Sequence, residues 1–264
     1  MGSDLCPESL SQRRLVSHRC RFKEGVLEDR VQEAMLNLVI ANRILDQENI
    51  CDAFGHISVR HPLDQEKYIM ARSRAPGVIE LDDLMEFHLD GRPVDLRDRT
   101  VYAERHIHGG VYEARPDVKS VVHSHSHSVI PFGVTDVKLQ PVFHMGATVG
   151  HEVPVWDIRD NFGDTSLLVS NMDQGRDLAL FLGERRASLM RGHGAVVVGK
   201  TIKEAVLIAV FLEHNARISM QCLQLGTPNF LSAGEVSLCM DQFVGDLAID
   251  RAWDYWSLRA GFKS

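Results

Sequence analysis

Histidines are concentrated in one short part of this chain. Five of the 13 histidines fall between Glu104 and His127, and the last three alternate with serine as His123, His125 and His127. Alternate residues of an extended strand share a face, so these three imidazoles would point the same way. Two imidazoles spaced in this manner can hold one metal ion, each at about 2.0–2.1 Å. The pattern therefore predicts a metal site on a strand.

A third candidate ligand comes much later in the chain. His193 stands between Gly192 and Gly194, in a predicted turn between two strands. Glycine on both sides lets the backbone come close to whatever the ring binds. Three histidines leave a coordination position open for a substrate, which is typical of a catalytic metal site. Glu104 would either bind the resting metal or act as a general acid or base.

A basic loop is a candidate for substrate binding. Arg72-Ser73-Arg74 precedes the Pro76-Gly77 pair, which breaks regular structure. Guanidinium groups fit carboxylates in a bidentate manner. Beside a metal site, this loop is predicted to bind an anionic group.

Hydrophobic periodicity predicts the elements that position these residues. Helices are expected over residues 27–46, 104–115, 173–182 and 201–225, with a further short helix and an aromatic cluster in the tail. Strands are expected over residues 54–60, 68–71, 85–89, 118–127, 187–190 and 195–199. Without repeats or a clear linker, the chain is read as an N-terminal arm, residues 1–24, and one α/β domain, residues 25–264.

Composition excludes several classes of protein. A net charge of −7 without a basic patch disfavours nucleic acid as a partner. Five scattered cysteines fit a reducing compartment, so a cytoplasmic location is expected. The polar N-terminus does not resemble a signal peptide, and no apolar run reaches the about 20 residues that cross a membrane.

The motifs, taken in order, resemble the class II aldolase/adducin family over roughly residues 28–226. The matching motifs are Glu104-x3-His108, Arg115-Pro116-Asp117, Val121-Val122-His123-Ser124-His125 and Arg191-Gly192-His193-Gly194. The resemblance implies a three-layer αβα sandwich around a central, mainly antiparallel sheet. It also implies a homotetramer with the active site near a subunit interface.

The resemblance assigns roles to individual residues. His123, His125 and His193 match the family's metal ligands, and Glu104 matches its acid/base carboxylate. His108 matches a histidine close to the site and is placed, with His127, in the shell behind the ligands. The cofactor would be one divalent ion: three imidazoles suit Zn²⁺ and Fe²⁺, and Mn²⁺ fits if Glu104 and water contribute oxygen.

Three departures from the sugar-phosphate members point to another substrate. Gly55-His56 replaces the usual Gly-Asn, Arg72-Ser73-Arg74 replaces a small-residue phosphate cradle, and His144 stands where aldolases often carry a tyrosine. These segments resemble a decarboxylase-like branch that includes 3-hydroxy-2-methylpyridine-4,5-dicarboxylate 4-decarboxylase. The expected partner is therefore a small hydroxylated aromatic or pyridine dicarboxylate.

The resulting hypothesis is a metal-dependent carboxy-lyase. A divalent cation would take up the charge that develops as an enolate or phenolate. Glu104 or His144 would move the proton, and His56, Ser73 and an arginine of the loop would contact the substrate. Three alternatives stay open: a sugar-phosphate aldolase or epimerase, a three-histidine iron oxygenase, and a non-catalytic adducin-like interaction domain.

Overall fold

The structure is a computed structural model that describes residues 10–243 and 245–262, with side chains from residue 27 onward. Residues 1–9 of the predicted N-terminal arm lie outside the described residues. Helices of the described chain are α1 (Leu10–Gln47), α2 (Arg105–Ala114), α3 (Arg159–Phe162), α4 (Met172–Leu182), α5 (Ile202–Leu225), α6 (Ala233–Phe243) and α7 (Asp246–Arg259). Short 3₁₀ turns cover Pro76–Val78, Leu81–Asp83, Ile130–Gly133 and His144–Val149.

One seven-stranded sheet forms the middle layer. Its strands are β1 (His56–Arg60), β2 (Lys67–Ala71), β3 (Leu84–His88), β4 (Ser120–Ser124), β5 (Val155–Trp156), β6 (Ala187–Met190) and β7 (Gly194–Gly199). Their order is β3-β2-β1-β4-β7-β6-β5, and every pairing is antiparallel except that of β5 with β6. Helices flank the sheet, with α1, α5 and α7 packed together and α2 packed against α4. The predicted αβα sandwich with a mainly antiparallel sheet is confirmed.

Helix ends follow the local chemistry of the sequence. Thr201 precedes α5, and its hydroxyl accepts a hydrogen bond from the backbone N–H of Glu204 at 3.0 Å. The Glu204 carboxylate accepts from the backbone N–H of Lys200 at 2.6 Å, so it reaches one residue further back than a capping box does. The helix ends at Leu225 and Gly226, as the sequence predicts.

Two predicted boundaries are wrong. Helix α1 begins at Leu10, well before the predicted start at residue 27. Strand β4 ends at Ser124, so His125 and His127 lie beyond it, whereas the sequence predicted a strand to residue 127. The strand stops because Ser126 turns the chain: its hydroxyl donates to buried Glu213, and its carbonyl accepts from the N–H of Val129 at 3.1 Å.

None of the described helices combines enough residues with enough apolar character to span a bilayer.

Candidate metal centre

Four side chains from three separate parts of the chain meet at one point. His123 belongs to β4, His125 follows it, His193 lies in the β6–β7 turn, and Glu104 immediately precedes α2. The Nε2 atom of His125 lies 3.2 Å from Nε2 of His123 and 3.1 Å from Nε2 of His193. One ligand atom from each of the four residues lies within 4.8 Å of the others.

The spacing of these atoms fits a metal ion. Ligands bound at about 2.1 Å with tetrahedral angles lie about 3.4 Å from one another. The Nε2–Nε2 distances of 3.1 and 3.2 Å are close to that value. Oε2 of Glu104 lies 3.4 Å from Nε2 of both His123 and His193. Three nitrogens and one oxygen therefore suit a divalent ion such as Zn²⁺, Fe²⁺ or Mn²⁺.

Backbone carbonyls set the orientation of two of the rings. Nδ1 of His123 lies 3.1 Å from the carbonyl oxygen of Ala195, and Nδ1 of His193 lies 3.0 Å from that of Leu167. A carbonyl only accepts, so each Nδ1 carries the proton and donates it. Each Nε2 then presents its lone pair to the centre, which is the form that binds metal.

A carboxylate orients the third ring in the same way. Nδ1 of His125 lies 3.4 Å from Oδ1 of Asp52, in the loop between α1 and β1. All three imidazoles thus have an acceptor behind Nδ1 and an Nε2 directed at the others. Sequence reasoning missed Asp52, although an aspartate with a glycine three residues later, Gly55, is a turn signal.

The two glycines beside His193 have separate structural reasons. A Cβ at Gly194 would lie 2.0 Å from the carbonyl oxygen of Ser124, so only glycine lets β7 approach the end of β4. Gly192 has a φ of +66°, which favours glycine. Together they hold His193 beside His123 and His125.

Glu104 is a buried and charged member of the cluster. Its Oε1 accepts a hydrogen bond from the backbone N–H of Val169 at 3.0 Å, which leaves Oε2 to face the histidines. Burial raises the pKa of Glu104. When no ion is bound and Nε2 of His123 or His193 carries a proton, hydrogen bonding and charge interaction with these rings lower the pKa by a larger amount, so the net pKa lies far below the ordinary value. The carboxylate is therefore ionised at neutral pH.

A chain of buried polar side chains runs away from the centre. His56 pairs with His123 across β1 and β4, and its Nδ1 lies 2.7 Å from Nε2 of His108. Nδ1 of His108 lies 2.7 Å from the hydroxyl of Ser58, which in turn lies 2.8 Å from that of Tyr112. Burial lowers the pKa of His108 to about 3 and also lowers that of His56, so both rings are neutral.

Comparison with known proteins identifies the family. The family model described as "Class II Aldolase and Adducin N-terminal domain" matches residues 37–220. The chain belongs to this family.

Two relatives of this class II aldolase-family chain are named as decarboxylases. Decarboxylase tropJ from Talaromyces stipitatus is 37% identical over 195 residues, which are 69% of this chain and 73% of the relative. The 3,4-dihydroxyphthalate decarboxylase of a Terrabacter species is 28% identical over 200 residues, covering 70% and 80%. Among solved structures, L-fuculose 1-phosphate aldolase from Glaciozyma antarctica has a TM-score of 0.73 at 20% identity, covering 89% and 90%. This last likeness shows the class II aldolase fold.

The basic loop of this class II aldolase-family protein is tied to a buried carboxylate. Arg72 donates through Nε to Asp83 at 2.6 Å, and a terminal nitrogen of Arg74 donates to the other oxygen of Asp83. The backbone N–H of Ser73 donates a hydrogen bond to the carbonyl oxygen of Thr100. Part of the hydrogen-bonding capacity of each arginine is therefore already taken by Asp83. The sequence did not predict these two ion pairs.

Tyr102 connects this loop with the histidines. Its hydroxyl donates to the carbonyl oxygen of Arg74, and its ring centroid lies 4.6 Å from that of His56. The loop is thereby held beside the buried histidine pair. Tyr102 carries no motif, and sequence reasoning did not select it.

Two predicted site residues, His127 and His144, belong neither to the four-residue cluster, nor to the buried polar side chains behind it, nor to the basic loop. His127 is exposed in the turn that follows β4. His144 is also exposed, and its ring packs at 5.0 Å from that of Phe243 in α6. In the single chain, the structure thus brings together Glu104, His123, His125 and His193, backed by His56 and His108.

Proposed function

We propose that this chain is a metal-dependent decarboxylase of a hydroxylated aromatic or pyridine dicarboxylate, such as 3-hydroxy-2-methylpyridine-4,5-dicarboxylate. The observation that carries the proposal is the convergence of three Nε2 atoms, each on a ring whose Nδ1 faces an acceptor. The names of both decarboxylase relatives support the reaction class, and the name 3,4-dihydroxyphthalate decarboxylase also supports the kind of substrate. Family membership supports a lyase on a small molecule.

His123, His125 and His193 would hold the ion, with Glu104 as a fourth ligand or as the group beside the open position. A bound divalent ion would supply a Lewis acid for negative charge that develops on a substrate oxygen. A ring hydroxyl and an adjacent carboxylate of the substrate would suit such an ion, because the two oxygens together could chelate it.

Glu104 is the proposed proton carrier. Since its carboxylate is ionised, it can accept the proton of the ring hydroxyl and return it to the ring carbon that bears the departing carboxylate. The carbon–carbon bond then breaks, CO₂ leaves, and the electron pair restores the aromatic ring as a phenolate, which takes a proton from solvent. His144 is the alternative carrier, although in the single chain its ring lies against Phe243.

The arginines of the basic loop are proposed to hold the second carboxylate. Arg72 uses only Nε in its side-chain hydrogen bond to Asp83, which leaves its terminal nitrogens for an anion. Arg74 would support it by sharing Asp83, and Ser73 would line the same side. His56 was predicted to contact the substrate, but it is 2% exposed and packs on His123, so it would support the site from behind that ligand.

A metal analysis paired with a CO₂-release assay tests the proposal. The purified protein should contain about one divalent ion per chain and release CO₂ from one or more members of a panel of hydroxylated aromatic dicarboxylates. His125→Ala should lose both the ion and turnover. His127→Ala is the matched control, because His127 is exposed two residues away, and it should keep both.

Other outcomes of this assay favour the rival functions. Cleavage of fuculose 1-phosphate without CO₂ release would favour an aldolase, which the fold also suits. Oxygen uptake during turnover would favour an iron oxygenase. Neither bound metal nor turnover would favour an interaction domain and refute the enzyme proposal.

We also propose that the chain assembles as a homotetramer with this site near a subunit interface. Large apolar side chains stand exposed on the C-terminal helices, including Leu238 of α6 and Leu247 and Leu258 of α7. Exposed apolar surface of this kind favours association. Light scattering on the purified protein should give four chains per particle, and a monomeric mass would contradict the proposal.

A further inference from the structure

The loop between α1 and β1 contacts both His123 of β4 and His125, which follows that strand. The thiol of Cys51 points to the carbonyl oxygen of His123 at 3.7 Å. Oδ1 of Asp52 lies 3.4 Å from Nδ1 of His125. The loop therefore borders the proposed metal centre.

The same carboxylate oxygen also fixes the path of the loop backbone. Oδ1 of Asp52 accepts hydrogen bonds from the backbone N–H of Phe54 at 2.8 Å and of Gly55 at 3.2 Å. A Cβ at Gly55 would lie 2.7 Å from the sulfur of Cys51, so the chain turns tightly here. One oxygen atom thus separates the backbone of Phe54 from the ring of His125.

Phe54 presents a large aromatic surface at this place. Its side chain is 70% exposed. A single exposed apolar residue is ordinary by itself. Phe54 differs because its backbone is tied, through Asp52, to a residue of the metal centre. The exposed ring therefore belongs to a loop that borders the metal centre.

We infer that Phe54 forms an aromatic wall of the substrate site, on which the ring of the substrate stacks while its oxygens face the three imidazoles. This inference rests on the proposed function and extends it, since it gives the site a preference for flat, aromatic ligands. Asp52 is the positioning residue that couples the wall to His125. A ligand with the same chelating oxygens but no ring makes no use of Phe54.

Calorimetry on the metal-loaded protein tests this with two probes, 3,4-dihydroxybenzoate and oxalate. Phe54→Leu should weaken binding of 3,4-dihydroxybenzoate about threefold to tenfold, as expected for one lost aromatic pair. Oxalate should bind within twofold of the wild-type affinity, because it has no ring. Phe54→Trp should restore the affinity for the aromatic probe. Tyr255→Leu is the control, since Tyr255 is an exposed aromatic residue on α7 and should matter to neither probe.

Several results would overturn the inference. Equal weakening of both probes would assign Phe54 a general structural role, and no change for either would remove it from the site. A change of particle mass in Phe54→Leu would assign Phe54 to a subunit contact. Failure of the wild-type protein to bind the aromatic probe would also refute it. A protein that binds the probe through Phe54 but decarboxylates nothing would refute the proposed function alone.

Discussion

Replacement of Glu104 by glutamine separates the chemistry of this carboxylate from its place in the structure. Glutamine has nearly the same shape, and its Oε1 can still accept the hydrogen bond from the Val169 N–H. The change removes the negative charge at Oε2, 3.4 Å from Nε2 of His123 and His193, and with it the ability to carry a proton. The fold and the three imidazoles should remain.

Two effects of known size follow from this change. Loss of a general acid or base lowers kcat by about 10²- to 10⁴-fold. Loss of a carboxylate beside the ligands lowers metal affinity by about 10- to 100-fold. The assay is therefore CO₂ release at saturating substrate and saturating metal, with metal affinity measured separately by titration. Under those conditions the Glu104→Gln variant should be loaded with metal. Its kcat should nevertheless be at least 100 times lower than that of the wild type.

Glu113→Gln is the matched control for this experiment. Glu113 lies in α2, nine residues from Glu104, and pairs with Arg176 on the surface. It should retain the wild-type kcat, because surface ion pairs contribute little. A Glu104→Gln protein whose kcat stays within threefold of wild type at full metal occupancy would refute the role of Glu104 as proton carrier.

Three further predictions concern stability and metal. Asp83→Asn should lower the free energy of unfolding by about 2 kcal/mol in a urea titration at pH 7, because it leaves Arg72 and Arg74 without their shared carboxylate. Burial raises the pKa of Asp83, whereas hydrogen bonds from the Glu80 amide and the two arginines lower it by a larger amount. Its net pKa therefore lies below the ordinary value. The stabilisation by Asp83 is thus complete above the ordinary pKa and is lost as the pH falls through the lower pKa of the folded state. The difference in unfolding free energy between wild type and Asp83→Asn should therefore shrink below about pH 4. A difference that widens there would contradict the assignment. Gly194→Ala should lower the free energy of unfolding by about 3 kcal/mol or more in the same titration, since its Cβ would lie 2.0 Å from a backbone oxygen. A urea midpoint equal to that of the wild type would refute this prediction. A divalent ion at about 100 times its Kd should stabilise the wild-type protein by about 2.7 kcal/mol, and this gain should vanish in His125→Ala, as thermal scans with and without chelator can show.

The sequence by itself determined the local elements and the identity of the candidate ligands. Helix α5 begins at Ile202 and ends at Leu225 because Thr201 caps it and Gly226-Thr227-Pro228 cannot continue it. The strand beginning at Ser120 is predicted by Val121-Val122 and by the alternation of histidine with serine that follows. The ligand histidines stand out because imidazoles at this spacing have few structural uses.

Only the tertiary structure decided how those residues are held. His123 and His193 are 70 residues apart in sequence, and the antiparallel pairing of β4 with β7 brings them together. The acceptors behind two of the rings are the carbonyls of Ala195 and Leu167, and every residue type has a carbonyl, so no pattern of side chains could reveal them.

The same reason explains the predictions that the structure changed. Nothing local marks the end of β4 at Ser124, because the bond that turns the chain joins Ser126 to Glu213, on a helix far along the sequence. Arg72 and Arg74 look like free anion-binding groups until Asp83 is placed between them. Residue types determine which chemistry is available. Long-range contacts determine which of these groups face the metal centre. Such contacts join residues that are far apart in the sequence, so they produce no recognisable sequence pattern.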